Sequence, residues 1–161
     1  MDMQREVVVV SGVRTAIGDF GGGLKDVAPT DLGAQVVREA LSRAGVAGAE
    51  VGQVVFGNVI HTEPKDMYLA RVAAMSAGVA KETPALTLNR LCGSGLQAIV
   101  SAAQTIMLGD TDIAVAGGAE SMSRAPYLAQ GAHRSLGIVG ATDVGAHADL
   151  QHHALPGHAT P

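Results

Sequence analysis

Apolar and polar positions fall in blocks along the chain, and the blocks predict strands separated by helices. Val7 to Val10 form an unbroken β-branched run, the mark of a strand buried on both faces. Past residue 30 the period changes. Leu32, Val36, Val37, Ala40, Leu41 and Ala44 share one helical face, with Thr30 and Asp31 as N-cap residues behind Pro29 and Gly45 as the stop. Within Val51 to Ile60, the core Val54, Val55 and Phe56 predicts a second strand, broken by Gly57-Asn58. After the polar loop His61 to Asp66, the spacing of Tyr68, Leu69, Val72, Ala73 and Met75 predicts a second helix that stops near Gly78. Ala85 to Leu88 reads as a short strand after Pro84. Leu96, Ile99, Val100, Ala103, Ile106 and Met107 then show the one-faced spacing of a packed helix, running to about Leu108 and ended by Gly109-Asp110. Asp112 to Ala116 predicts a further strand. Strands alternating with helices predict an α/β layered domain.

From about Gln130 this periodicity fades. Five of the six histidines lie there, at His133, His147, His152, His153 and His158. A metal site built from His147, His152 and His153 is one reading, but no acidic or supporting pattern accompanies them. A poorly packed tail is the expectation. His61, the remaining histidine, has no evident partner and is expected on the surface.

Composition narrows the class. Hydrophobic residues make up 47% of the 161 and aromatics only 2%, with 21 glycines and no tryptophan, so the core is expected to be tight and aliphatic. A net charge of −4 gives no basic footprint for nucleic acid or an anionic membrane surface. The one cysteine excludes an internal disulfide and a Cys-rich zinc site. The charged start is unlike a signal peptide, and no apolar run approaches the roughly 20 residues of a membrane span. The expectation is a soluble cytoplasmic protein. The glycine-rich stretch Phe20 to Gly23 lacks the Gly-Lys-Ser/Thr ending of a phosphate loop and is expected to be a structural turn.

That single cysteine, Cys92, sits where the strand Ala85–Leu88 turns into the following helix, within Asn89-Arg90-Leu91-Cys92-Gly93-Ser94-Gly95-Leu96-Gln97-Ala98. A helix N-terminus presents unpaired N–H groups and partial positive charge, a setting that stabilises an anion such as a thiolate. Gly93 and Gly95 lack a Cβ, so a substrate or a neighbouring backbone can come close. Two readings stand on placement alone: an activated nucleophile, or a small buried hydrophobe. Gly93 to Ala98 also matches the G-x-G-x-x-G/A dinucleotide fingerprint, which would make the chain a nicotinamide-dependent reductase. The acidic residues near the required distance, Asp110 and Asp112, precede the next strand instead of ending it. Nor is the stretch a serine elbow, because Cys92 occupies the position of the first glycine.

Taken together, Val8 to Gly18, Gly57-Asn58-Val59, Asn89 to Ala98, and Gly117-Gly118-Ala119-Glu120-Ser121-Met122-Ser123 resemble the thiolase family, acetyl-CoA acetyltransferases and 3-ketoacyl-CoA thiolases, and among them bacterial β-ketothiolases of the polyhydroxyalkanoate type. The resemblance covers roughly residues 5 to 128. It implies a thiolase N-terminal half-domain over 1–128, with a mixed, mainly parallel sheet layered with helices, and a divergent tail over 129–161. It implies Cys92 as the nucleophile that forms an acyl-S-enzyme, with its backbone N–H in an oxyanion hole. It also implies coenzyme A and acyl-CoA as substrates, no permanent cofactor or metal, and a cytoplasmic homo-oligomer formed through the family dimer surface. The Asn-Glu-Ala-Phe, Gly-His-Pro and Cys-x-Gly motifs of the family's second half do not occur. A truncated gene or a shifted reading frame is therefore expected, with little or no turnover and an exposed apolar face where the second half would pack. A non-catalytic remnant that binds acyl-CoA or docks onto thiolase subunits is the alternative.

Overall fold

The computed structural model describes residues 5–127. Tail readings, including the histidine cluster and the 129–161 segment, lie outside the described residues. Three parallel strands, β1 (Gln53–Gly57), β2 (Ala85–Leu88) and β3 (Ala114–Gly118), lie in the order β2-β1-β3. Val54 pairs with Ala85 on one side and Val115 on the other, so β1 is the central strand.

Alternation along β1 sorts its side chains to two faces. Val54 and Phe56 join Val37 and Leu41 of α1 (Pro29–Ala44) and Leu69, Ala70 and Ala74 of α2 (Leu69–Ala77) in one buried cluster. Val55 points the other way, onto Ala98 and Ala102 of α3 (Ser94–Leu108). The result is a layered α/β domain with α1 and α2 on one face and α3 on the other. All three helices end on a glycine in the left-handed region, Gly45 (φ 66), Gly78 (φ 88) and Gly109 (φ 82), where a Cβ would be strained. The first helix starts slightly earlier than its N-cap candidates suggest, with Ala28 at the cap and Pro29 in the first position.

Three sequence expectations change. Val7 to Val10 do not form a buried strand: the segment carries no ladder, and Val8, Val9 and Val10 are 65%, 84% and 70% exposed. A β-branched run is buried on both faces only where strands flank it, and none does so among the described residues. Residues 7–20 instead line an open apolar groove of about 910 Å³, which residues of α1, β3 and α3 also line. The second change concerns α3. Its sheet-facing side is the small-residue row Ser94, Ala98 and Ala102, not the large apolar stripe. Leu96, Ile99, Val100 and Met107 stand 69%, 48%, 43% and 41% exposed. Small residues let the helix sit close on Val55 and leave the bulky ones facing outward.

The expectation of no span-like stretch also changes: residues 91–108 are long and apolar enough for one by length and composition, with Ser94, Gln97, Ser101, Gln104 and Thr105 interspersed. At 1.5 Å per residue, the 15 residues of α3 extend only about 22 Å, short of a hydrocarbon core about 30 Å thick. The same composition is met in core helices, and the sheet contact through Ala98 and Ala102 assigns α3 to the layered fold.

The site at the carboxyl ends of the strands

In an open parallel sheet, ligands bind beyond the carboxyl ends of the strands, because the loops that leave there converge. Three such loops meet here. β1 ends in Gly57-Asn58, β2 leads into Asn89 and the Cys92 turn, and β3 leads into Ala119-Glu120. Backbone bonds bind them together: the Asn58 N–H donates to the Leu88 carbonyl at 3.1 Å, and the Ala119 N–H to the Gly57 carbonyl at 3.1 Å.

The turn that carries Cys92 is short and internally bonded. Gly93 N–H donates to the Arg90 carbonyl at 3.1 Å and Ser94 N–H to the Leu91 carbonyl at 3.0 Å. Ser94 is buried and opens α3, so Cys92 stands in the turn two residues ahead of the helix. The Cys92 thiol is exposed. That removes the small-hydrophobe reading, which needs burial. Among the described residues no hydrogen bond joins Cys92 to a histidine or a carboxylate. His61 lies on the surface, as its lack of a partner suggests.

Gly95 faces open space, with nothing within 4 Å of where a Cβ would stand, and Gly93 meets only Arg90. At Gly93 the Arg90 carbonyl oxygen comes within 3.4 Å of that position, whereas no described residue uses the room at Gly95. The apolar groove does not include Cys92, Gly93 or Gly95 in its lining. Asp112 precedes β3, at the other end of the sheet from Gly93 and Gly95, so the dinucleotide reading gains no acidic partner.

Sequence reasoning missed the polar network that shapes these loops. Asn58 is 1% exposed, and its Nδ2 donates to the Ala119 carbonyl at 3.0 Å and to Glu120 Oε1 at 3.3 Å. Glu120 also accepts from the N–H groups of Val59 at 3.0 Å and Ile60 at 2.9 Å. Its carboxylate thus fixes the loop after β1 from the loop after β3. Asn58 Oδ1 is buried without a partner among the described residues. Further out, buried Asp66 accepts through Oδ2 from the Thr62 N–H at 2.7 Å and the Thr62 hydroxyl at 2.8 Å. Two signals were available: Gly57-Asn58 and Gly118-Ala119-Glu120 stand just past parallel strands, and both lie in blocks that carry the family resemblance.

The family model described as "Thiolase, N-terminal domain" matches residues 7–154. The chain belongs to the thiolase family. Beta-ketothiolase BktB of Cupriavidus necator is 72% identical over 144 residues, covering 88% of this chain and 36% of that relative. The mitochondrial 3-ketoacyl-CoA thiolase of Bos taurus is 47% identical over 127 residues, covering 79% and 32%. Among solved structures, the acetyl-CoA acetyltransferase of Bacillus anthracis matches with a TM-score of 0.74 at 40% identity, covering 84% of this chain and 35% of that one. The thiolase fold implied by the sequence is therefore present. The chain spans about a third of the length of the curated thiolases it matches.

Proposed function

We propose that Cys92 is the acyl-accepting nucleophile of a thiolase-type acyl transfer. One observation carries this: an exposed thiol stands in a tight turn ahead of α3, where the loops from three parallel strands converge. In this reading the thiolate attacks the carbonyl carbon of an acyl-CoA or 3-ketoacyl-CoA. A carbon–sulfur bond to Cys92 forms. With an acyl-CoA, the bond to the CoA sulfur breaks and CoA leaves as its thiolate; with a 3-ketoacyl-CoA, the carbon–carbon bond breaks and the departing acetyl-CoA carbanion takes up a proton. The acyl-S-Cys92 intermediate then passes its acyl group to CoA, or to the carbanion of a second acetyl-CoA. The Cys92 N–H makes no hydrogen bond within the turn, which suits it to meet the developing oxyanion. Gly93 and Gly95, one and three residues beyond Cys92, add no side chain to crowd an approaching thioester. Group transfer between thioesters needs no electron carrier, so coenzyme A enters as substrate only.

Alone, this chain is proposed to turn over little or not at all. Removal of the α-proton and reprotonation require acid/base groups beside the sulfur, and none of the described residues supplies one to Cys92. A half-domain boundary at residue 128, with a divergent tail beyond, belongs to the same proposal, although the family match runs on to residue 154. So do a homo-oligomer and a cytoplasmic setting. Cleavage of acetoacetyl-CoA by the purified chain in the presence of CoA is expected at background. Sustained cleavage that Cys92→Ala abolishes would overturn the loss of turnover while upholding the nucleophile.

The outward stripe on α3 favours a second reading, a non-catalytic chain that docks onto thiolase subunits. Co-purification of the tagged chain with a full-length β-ketothiolase tests it. Failure to associate, together with Cys92 acylation by the chain alone, would remove that reading.

A further inference from the structure

We propose that Asn89 is a positioning residue for Cys92 and acts through the backbone of Leu91. The inference rests on Cys92 being the acyl acceptor. Leu91 has φ 50, the one non-glycine positive φ among the described residues. A residue with a Cβ is disfavoured there and stays only where its surroundings hold it. Two side chains do so. Asn89 Oδ1 accepts the Leu91 N–H at 2.9 Å, closing a turn across Arg90. From the other flank, Ser94 Oγ donates to the Leu91 carbonyl at 2.6 Å and accepts the Arg90 N–H at 2.8 Å. Both polar backbone groups of Leu91 are thus fastened, and Cys92 is the next residue along.

Asn89 is itself anchored to the neighbouring loop. Its Nδ2 donates to the Val59 carbonyl in a long 3.5 Å bond, and the Val59 N–H is the one Glu120 accepts. If Leu91 relaxed to negative φ, the chain would leave residue 91 in another direction and carry the sulfur with it. Ser94 is buried at the start of α3, so changing it disturbs the fold. Asn89 is exposed, which lets positioning be tested apart from packing.

The test follows acetyl transfer from acetyl-CoA to Cys92 by intact mass, at several acetyl-CoA concentrations, on the whole chain and on N89A, N89S, L91G and N89A/L91G. N89A is expected to lower the limiting acylation rate by about ten- to a hundredfold, as small misplacements of a reacting atom do. The half-saturating acetyl-CoA concentration and the circular dichroism should not change. N89S, whose hydroxyl makes the same turn more weakly, is expected to recover much of the rate. Glycine takes the left-handed conformation unaided, so N89A should cost far less in the L91G background. An N89A rate equal to wild type, or an equal loss in both backgrounds, overturns the proposal. A wild-type chain that takes no acetyl group contradicts the acyl-acceptor reading instead. Positioning is then read from the iodoacetamide rate at Cys92, expected to change in N89A, return in N89S and stay equal between L91G and N89A/L91G. Identical alkylation in all five chains overturns it.

Discussion

Gly57 lies directly against Ser94: a Cβ on Gly57 would stand 2.6 Å from the Ser94 Cβ and 2.7 Å from its carbonyl carbon. The last residue of β1 thus touches the first residue of α3, two positions beyond Cys92. Gly57→Ala must push the start of α3 away from the sheet, because two of the atoms in its way, the Ser94 carbonyl carbon and the Gly95 nitrogen, are backbone. Overpacking of this kind costs about 1–3 kcal/mol. Urea unfolding should show that loss, and acyl transfer to Cys92 should fall by more than the loss of folded protein explains.

Glu120 joins the loops after β1 and β3 through three accepted hydrogen bonds. Glu120 as a residue is exposed, so water replaces much of what Glu120→Ala removes, and the expected cost is about 1 kcal/mol. The local effect should be larger than the global one. Amide hydrogen exchange at Val59 and Ile60 is expected to accelerate in E120A while amides within β1 hold their protection. Unchanged exchange at both residues would show that the clamp seen here does not restrain the loop.

Leu96 and Leu108 of α3 are 69% and 77% exposed. Burying a leucine is worth about 1.5–3 kcal/mol, so such a stripe favours any process that covers it. The chain is expected to bind a hydrophobic dye and to self-associate as concentration rises. Leu96→Gln with Leu108→Gln should reduce both effects without lowering the unfolding free energy. A monomer at all concentrations with no dye binding would show that the stripe is covered by something other than a second copy.

Much of the fold was legible because its signals are local. The strand Ala85–Leu88 and the helix stops at Gly45, Gly78 and Gly109 follow from residues within a few positions of one another. The failures concern partners far away in sequence. Val7 to Val10 have the composition of a buried strand, yet composition cannot say whether flanking strands exist. The α3 stripe gave a correct helix and the wrong buried face, since Ser94, Ala98 and Ala102 also recur at helical spacing and only the sheet decides between the rows. At the site, the motif around Cys92 could be read directly. The Asn58–Glu120 bond spans 62 positions and Asn89 to Val59 spans 30, and no local pattern announces either.

The central claim is that Cys92 accepts an acyl group. Single-turnover labelling with radioactive acetyl-CoA, followed by peptide mass analysis, tests it most directly, because Cys92 is the only thiol in the chain. One acetyl group is expected on the peptide that holds Cys92, removable by added CoA and absent from Cys92→Ala. No label at Cys92, or label that persists in Cys92→Ala, would contradict the claim.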